Sequence, residues 1–265
     1  MPFVTILSSD VKLRDAVRAS LGTHAVATAR SWDRLLWLVR ERPVTAVALD
    51  SDGLPSGIAA DATIGELRRR FPSLATVLVA RPSTDPLSLF RLGRAGIGGL
   101  VLLPADRLAG VSEALRRALG AGTEAVVTRA VSPYLPRRET HALRLALEGV
   151  QHGWSAKELA EHCGLSRAHA SVRLKAVGLP SAGHLLVWAR LLHAGRWLAD
   201  AGRTAQSISR QLEYSSGAAF RRALRNYVGM TPSEVRSFGG LVPVLSRFLD
   251  ACGLPDSLQG DLSVA

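Results

Sequence analysis

The chain has 265 residues, 47% of them hydrophobic, with two cysteines and a formal charge of +11. That length suits two ordinary domains or one large one, and that apolar content excludes wholesale disorder. Cys163 and Cys252 make neither a disulfide framework nor a zinc spacing, no apolar run approaches the length of a bilayer span, and the opening "MPFVTILSSDVKLRD" lacks the basic head and cleavage site of a signal peptide; the expectation is a reduced, cytoplasmic protein that does not engage membranes and needs no metal or cofactor.

Up to residue 121 the chain alternates short β-type runs with amphipathic helical runs. "FVTIL" (Phe3–Leu7) reads as a strand followed by a helix near Val11–Leu21. "AVATA" (Ala25–Ala29) and a helix over Trp32–Arg42 come next, then "TAVALD" (Thr45–Asp50) with a helix near Ile64–Phe71. "ATVLVA" (Ala75–Ala80) precedes a helix near Leu87–Ala95, and "GGLVLL" (Gly98–Leu103) precedes one over Arg107–Leu119. Strands apolar on both faces, each followed by a helix, predict a five-stranded, doubly wound parallel sheet covered on both sides. "GAGTEAVVTRAVSPYLP" (Gly120–Pro136) breaks the pattern and reads as a linker, with a short extended segment at Ala125–Thr128. Beyond it the period is helical up to Arg236. The expected division is an α/β domain over residues 1–121, a linker over 122–136, an all-α domain over 137–237 and a tail over 238–265, with a short helix at Val242–Cys252.

The positive charge is uneven: net +4 over residues 1–124, +9 over 125–236 and −2 over 237–265. A basic segment attracts polyanions, nucleic acid first. The same segment contains a repeat. "SAKELAEHCGLSRAHASVRLKAVG" begins at Ser155 and "TAQSISRQLEYSSGAAFRRALRNYVG" begins at Thr204. Leu159 and Cys163 align with Ile208 and Leu212, 49 residues on; Leu174 aligns with Leu224, 50 on, and Gly178 with Gly229, 51 on. Each copy reads as a helix, a tight turn, a serine that caps a second helix (Ser166 and Ser215), and a closing glycine. This is a helix-turn-helix pattern occurring twice. Between the copies, Leu185, Trp188, Leu191, Leu192 and Leu198 recur at helical spacing. A stiff helix there lets one chain read two consecutive major grooves, about 34 Å apart, without dimerising.

Residues from about Arg137 to Arg236, above all Ile208–Arg236 with its ending "GMTPSEVR", resemble the DNA-binding domain of the AraC/XylS transcriptional regulators. The resemblance implies seven helices, Glu139–Val150 lying in the first and the spacer being the fourth. It places base-reading positions on Ala168, Ser171 and Val172 in the first copy and on Gly217, Ala218 and Arg222 in the second. Most of these side chains are small, so Arg222 is the expected direct reader, supported by apolar contacts to thymine methyls and by DNA shape. Arg167, Lys175, Arg221 and Arg225 are expected on phosphates, which orient the protein without specifying sequence. Ser209 and Glu213 stand where the family has a small residue and glycine, and Arg173 is displaced by one from a family arginine. Double-stranded DNA and RNA polymerase are the partners this implies.

The five βα units and "RAGIGGLVLLPADRLAGVSEALRRAL" (Arg94–Leu119) resemble the response-regulator receiver. There, phosphoryl transfer to an aspartate needs Mg²⁺ held by neighbouring acids, a cation and a hydroxyl. Asp50 stands at the acceptor position, a candidate phospho-acceptor. The acidic pair is replaced by Ser8, Ser9 and Asp10, the lysine by Leu103, and the hydroxyl by Val79 or Ala80. Asp10 is better read as a helix cap and Asp50 as a polar loop residue. The result is a degenerate receiver, for dimerisation, partner docking or ligand sensing at the strand ends; in that family two copies pair through the fourth and fifth strand–helix elements. "GRAGIGG" precedes a strand instead of opening a helix, and no GKT, GKS or G-x-S-x-G motif occurs. No enzyme is indicated, and Trp32, Trp37, Trp154, Trp188 and Trp197 read as core or helix-packing residues. The leading reading is a sequence-specific DNA-binding transcription regulator. The alternatives are a phosphorylation-gated form using Asp50 and a protein-interaction adaptor that has lost DNA reading.

Overall fold

Five apolar runs become one parallel sheet in the computed structural model, which describes residues 3–21, 25–55, 59–80, 86–103, 107–119 and 122–255. The strands are β1 (Phe3–Leu7), β2 (Ala25–Ala29), β3 (Val44–Asp50), β4 (Ala75–Ala80) and β5 (Gly99–Leu102). Their order is β2-β1-β3-β4-β5, all parallel, the doubly wound arrangement. Helices α1 (Val11–Ser20), α2 (Trp32–Glu41), α3 (Ala60–Arg70), α4 (Pro86–Arg94) and α5 (Arg107–Leu119) alternate with them.

Alternation along each strand explains the two layers. Val4, Ile6, Ala46, Ala48, Val77 and Val79 face Leu13, Val17, Val111 and Leu115 of α1 and α5. Leu7, Val47, Leu49 and Leu78 face Leu35, Val39, Ile64 and Leu67 of α2 and α3. The helix expected from Ile64 starts four residues earlier, at Ala60. Asp10 caps α1, its carboxylate accepting from the Lys12 and Leu13 amides. This unit, residues up to Gly122, also takes in the segment Asp200–Arg203. Within it Asp200 and Arg203 are buried and paired at 2.9 Å. Ser73 donates its amide and hydroxyl to Asp200, and Arg203 donates to the Arg42 and Val44 carbonyls. A buried ion pair persists where its remaining polar atoms are so occupied.

The second unit is helical: α6 (Thr123–Val131), α7 (Arg137–Gly149), α8 (Ala156–His162), α9 (Arg167–Ala176), α10 (Ala182–Leu198), α11 (Ala205–Gln211), α12 (Gly217–Val228), α13 (Pro232–Ser237) and α14 (Leu241–Ala251). The spacer α10 spans 17 residues, about 25 Å. It is buried nearly all round, as expected of a helix apolar on every face. From α7 to α13 there are seven helices with the spacer fourth.

Three expectations change here. The stretch read as a linker, with extended chain at Ala125–Thr128, holds α6, and Val127, Val131 and Leu135 lie in the core of this unit. The supposed tail contributes Val244, Leu245, Phe248 and Leu249 of α14 to the same core. Trp188 and Trp197 are buried, but Trp37 is 44% exposed and carries the Arg34 guanidinium 4.2 Å from its ring centre.

Candidate nucleic-acid interface

Both repeat copies are built from capping chemistry. Ser155 and Thr204, 49 residues apart, each cap the first helix of a copy through reciprocal bonds with the third helical residue, Glu158 and Ser207. The Ser155 backbone and side chain hold the Glu158 carboxyl below its ordinary value. Leu159, Leu174, Ile208, Leu212 and Leu224 are buried. Cys163 is half-buried, which raises its thiol pKa, and His162 beside it stacks on Trp154 with ring centres 3.7 Å apart. Gly178 and Gly229 close the copies with φ of 83° and 78°, the left-handed cap glycine supplies without strain.

The caps of the second helices differ in register. Ser166 caps α9, its hydroxyl accepting from the His169 amide. In the second copy the cap is Ser216, which accepts from the Ala219 amide, and not Ser215. The turn there is one residue longer, an insertion that a fixed-offset alignment absorbs in the wrong place.

The faces of α9 and α12 present most of the expected readers. Ala168, Val172, Ala218 and Arg222 are exposed, and so are Arg167, Lys175, Arg221 and Arg225. Val172 is 66% exposed, an apolar side chain held out to solvent and suited to a thymine methyl. Two expected readers sit elsewhere. Gly217 is buried, and a Cβ on it would lie 2.4 Å from Oε1 of the exposed Gln206 side chain, which would have to move aside. Ser171 is half-buried, and its hydroxyl accepts from the Ala182 amide at the start of α10. Arg173 turns inward and pairs with buried Glu139 at 2.6 Å, beside a cavity of about 340 Å³ among α7, α8 and α9. Asn226, which sequence reading passed over, is exposed one turn beyond Arg222; the i, i+4 spacing was the available signal.

The second copy carries two local departures with a measurable cost. Glu213 has φ of 57°, a left-handed conformation that costs a non-glycine residue about 1 kcal/mol or more. Ser209 is buried and its hydroxyl has no hydrogen-bond partner among the described residues. Glu213→Gly and Ser209→Ala are each expected to stabilise by about 1 kcal/mol. Thermal unfolding checks this; a lowered midpoint for either variant would contradict the assigned cause.

At the carboxyl end of the sheet, Asp50 ends β3 and is 3% exposed, not a loop residue. Its Oδ2 accepts from the Ser8 hydroxyl at 2.6 Å, and its Oδ1 from the Asp52 amide. Val79 pairs with Asp50 in register, and Val79 and Ala80 are buried hydrocarbon. Leu103, where a cation would be needed, is half-buried; Pro104 lies outside the described residues. Among the described residues no cluster of His, Cys, Asp and Glu could hold a metal ion, and no helix is long and apolar enough to cross a membrane.

Two capped helix pairs on one spacer define the second unit as a double helix-turn-helix domain, and the first unit has the receiver's strand order. Residues 159–237 match the family model for a helix-turn-helix domain, and the chain carries this domain in its AraC-type form. No curated protein matches the chain. Among solved structures, a response regulator from Thermotoga maritima is 19% identical over 46% of this chain and 99% of its own, with a TM-score of 0.40. A CheY-like receiver domain protein from Methanospirillum hungatei is 16% identical over 46% and 99%, with a TM-score of 0.38. RcsB from Salmonella enterica serovar Typhimurium, bound to promoter rprA with phosphomimetic BeF3-, is 19% identical over 69% and 97%, with a TM-score of 0.37.

Proposed function

We propose that this protein is a cytoplasmic, sequence-specific regulator of transcription that grips double-stranded DNA through α9 and α12. The observation that carries the reading is the pair of capped helix-turn-helix units whose second helices both hold basic side chains outward. Arg222 reads a base edge, Val172, Ala168 and Ala218 make apolar contacts, and Arg167, Lys175, Arg221 and Arg225 bind phosphates. The DNA-binding domain extends beyond residues 137–237 to include α6 and α14, which share its core.

Selection of random duplexes by the full chain tests this. A bipartite motif with halves about 34 Å apart is the expected result. Weak binding without enriched sequence, vanishing at moderate salt, would leave a generic polycation and favour a protein-interaction adaptor. Arg222→Ala is expected to cost about 1–3 kcal/mol on the selected site and blur one base preference, with no loss of thermal stability.

The first unit acts as a pseudo-receiver governed by ligand or partner and not by phosphorylation. In support, the Asp50 carboxylate is engaged by Ser8, and hydrocarbon occupies the places of the hydroxyl and cation that phosphoryl transfer requires. Acetyl phosphate with Mg²⁺ is expected to leave Asp50 unmodified; a stoichiometric acid-labile adduct there would overturn this. The unit also pairs two copies of the chain through its fourth and fifth strand–helix elements. Leu87 and Phe90 of α4 are 57% and 63% exposed and Leu100 of edge strand β5 is 36% exposed, an apolar set that association would cover. Phe90→Glu is expected to shift sedimentation from dimer to monomer, and an unchanged profile would remove this face.

A further inference from the structure

A cleft of about 550 Å³ opens at the carboxyl end of β1 and β2, lined by Val11, Arg14, Asp15 and Arg18 of α1, Thr28, Arg30 and Ser31 of the second strand and its loop, and Arg34 of α2. The cleft lies against β2, an edge strand, so no further strand closes this side. On α1 the spacing of Val11, Arg14, Asp15 and Arg18 puts all four on one face. The volume falls in the range of small-molecule sites.

The charge is unbalanced. Four arginines line the cleft against one acidic residue, Asp15, whose carboxylate sits 3.8 Å from Arg18. Arg14 is the telling group. It is 9% exposed, and its recorded hydrogen bond is a long one, 3.4 Å to the Ser8 carbonyl. Among the described residues no carboxylate lies within ion-pair distance of it. A buried cation without a counter-charge is costly, and natural structures supply one. Two neighbours are already held in place: Arg18 donates to the Thr28 hydroxyl at 2.8 Å, and Arg34 lies on the Trp37 ring. Forked arginine donors match phosphate oxygens two at a time.

We infer that this cleft binds a small molecule bearing two or more linked phosphate groups, with Arg14 at its base and Arg18, Arg30 and Arg34 around the rim. One phosphate would leave most of the positive charge unmet, whereas a diphosphate brings more of the matching negative charge. The inference concerns the first unit alone and does not depend on the second unit reading DNA.

Titration calorimetry of the full chain with sodium pyrophosphate, ADP, inorganic phosphate and citrate, at about 0.15 M salt, tests it. The expected result is saturable binding of pyrophosphate or ADP, one per chain, well ahead of phosphate and citrate. Arg30→Gln and Arg34→Gln, both at exposed positions, are expected to weaken it by about tenfold or more each, with unchanged circular dichroism and melting. Tighter binding of ADP than of pyrophosphate would identify a nucleotide as the source of the diphosphate; equal binding would point to the diphosphate itself. No saturable binding of either up to about 1 mM, citrate matching pyrophosphate, or variants binding as the parent does would each overturn the assignment.

Discussion

Phe220→Ala is expected to destabilise the helical unit by about 3–5 kcal/mol, the largest effect of any single substitution considered for this protein. Phe220 lies in the second turn of α12, has no exposed surface, and packs its ring 5.3 Å from that of Tyr214. It belongs to the same core as Ile208 and Leu224, so truncation leaves a cavity in that core. A loss of that size is a large part of a domain's whole stability. Urea unfolding should show a lower midpoint with little change in slope. DNA binding should fall only in proportion to the unfolded fraction. Arg222→Ala should do the opposite, weakening recognition while leaving the midpoint alone. A Phe220→Ala loss below about 1 kcal/mol would mean that α12 is not anchored by this ring.

Acid should unfold the same unit through His193. This residue of α10 is buried, its Nε2 donates to the Leu147 carbonyl at 2.9 Å, and burial pushes its pKa down to about 4. In the unfolded chain histidine titrates near 6.5. Between those two values the unfolded state holds a proton that the folded state does not, so stability rises with pH across this window and is lost as pH falls. The full difference corresponds to roughly 3 kcal/mol. Glu124 nearby has its pKa raised, chiefly by burial, and opposes the trend, since its folded form holds on to a proton. The comparison that isolates His193 is therefore His193→Gln against the parent. The variant should be less stable at pH 7, and its stability should depend far less on pH between about 4 and 6.5. Parallel curves for the two proteins would show that His193 is not the group responsible.

Much of this architecture was legible because it repeats with a physical period. Arg107–Leu119 was read with the bounds α5 has, and the spacing of Leu159, Leu174, Ile208 and Leu224 marked both helix-turn-helix cores. What was missed depended on contacts distant in sequence. "TEAVVTRAV" is rich in β-branched residues and reads locally as extended, yet tertiary packing of Val127 and Val131 makes it helical. Gly217 looked like a surface position because nothing local says that Gln206 lies against it. The Ser8–Asp50 bond joins residues 42 apart, and only the adjacency of β1 and β3 brings them together. The arginine cleft is of the same kind, since its side chains come from two helices and a loop.

Placing the proposed readers on an otherwise closed helical unit has a consequence for how such a protein changes over time. Ala168, Val172, Ala218 and Arg222 are all exposed and stand apart from the single core that α6, α10 and α14 share with both helix pairs. Substitutions among them cost the fold little. Under the proposed DNA-reading role, the preferred operator can therefore drift by one residue at a time while the chain stays folded, and descendants can acquire new targets without passing through an unstable intermediate.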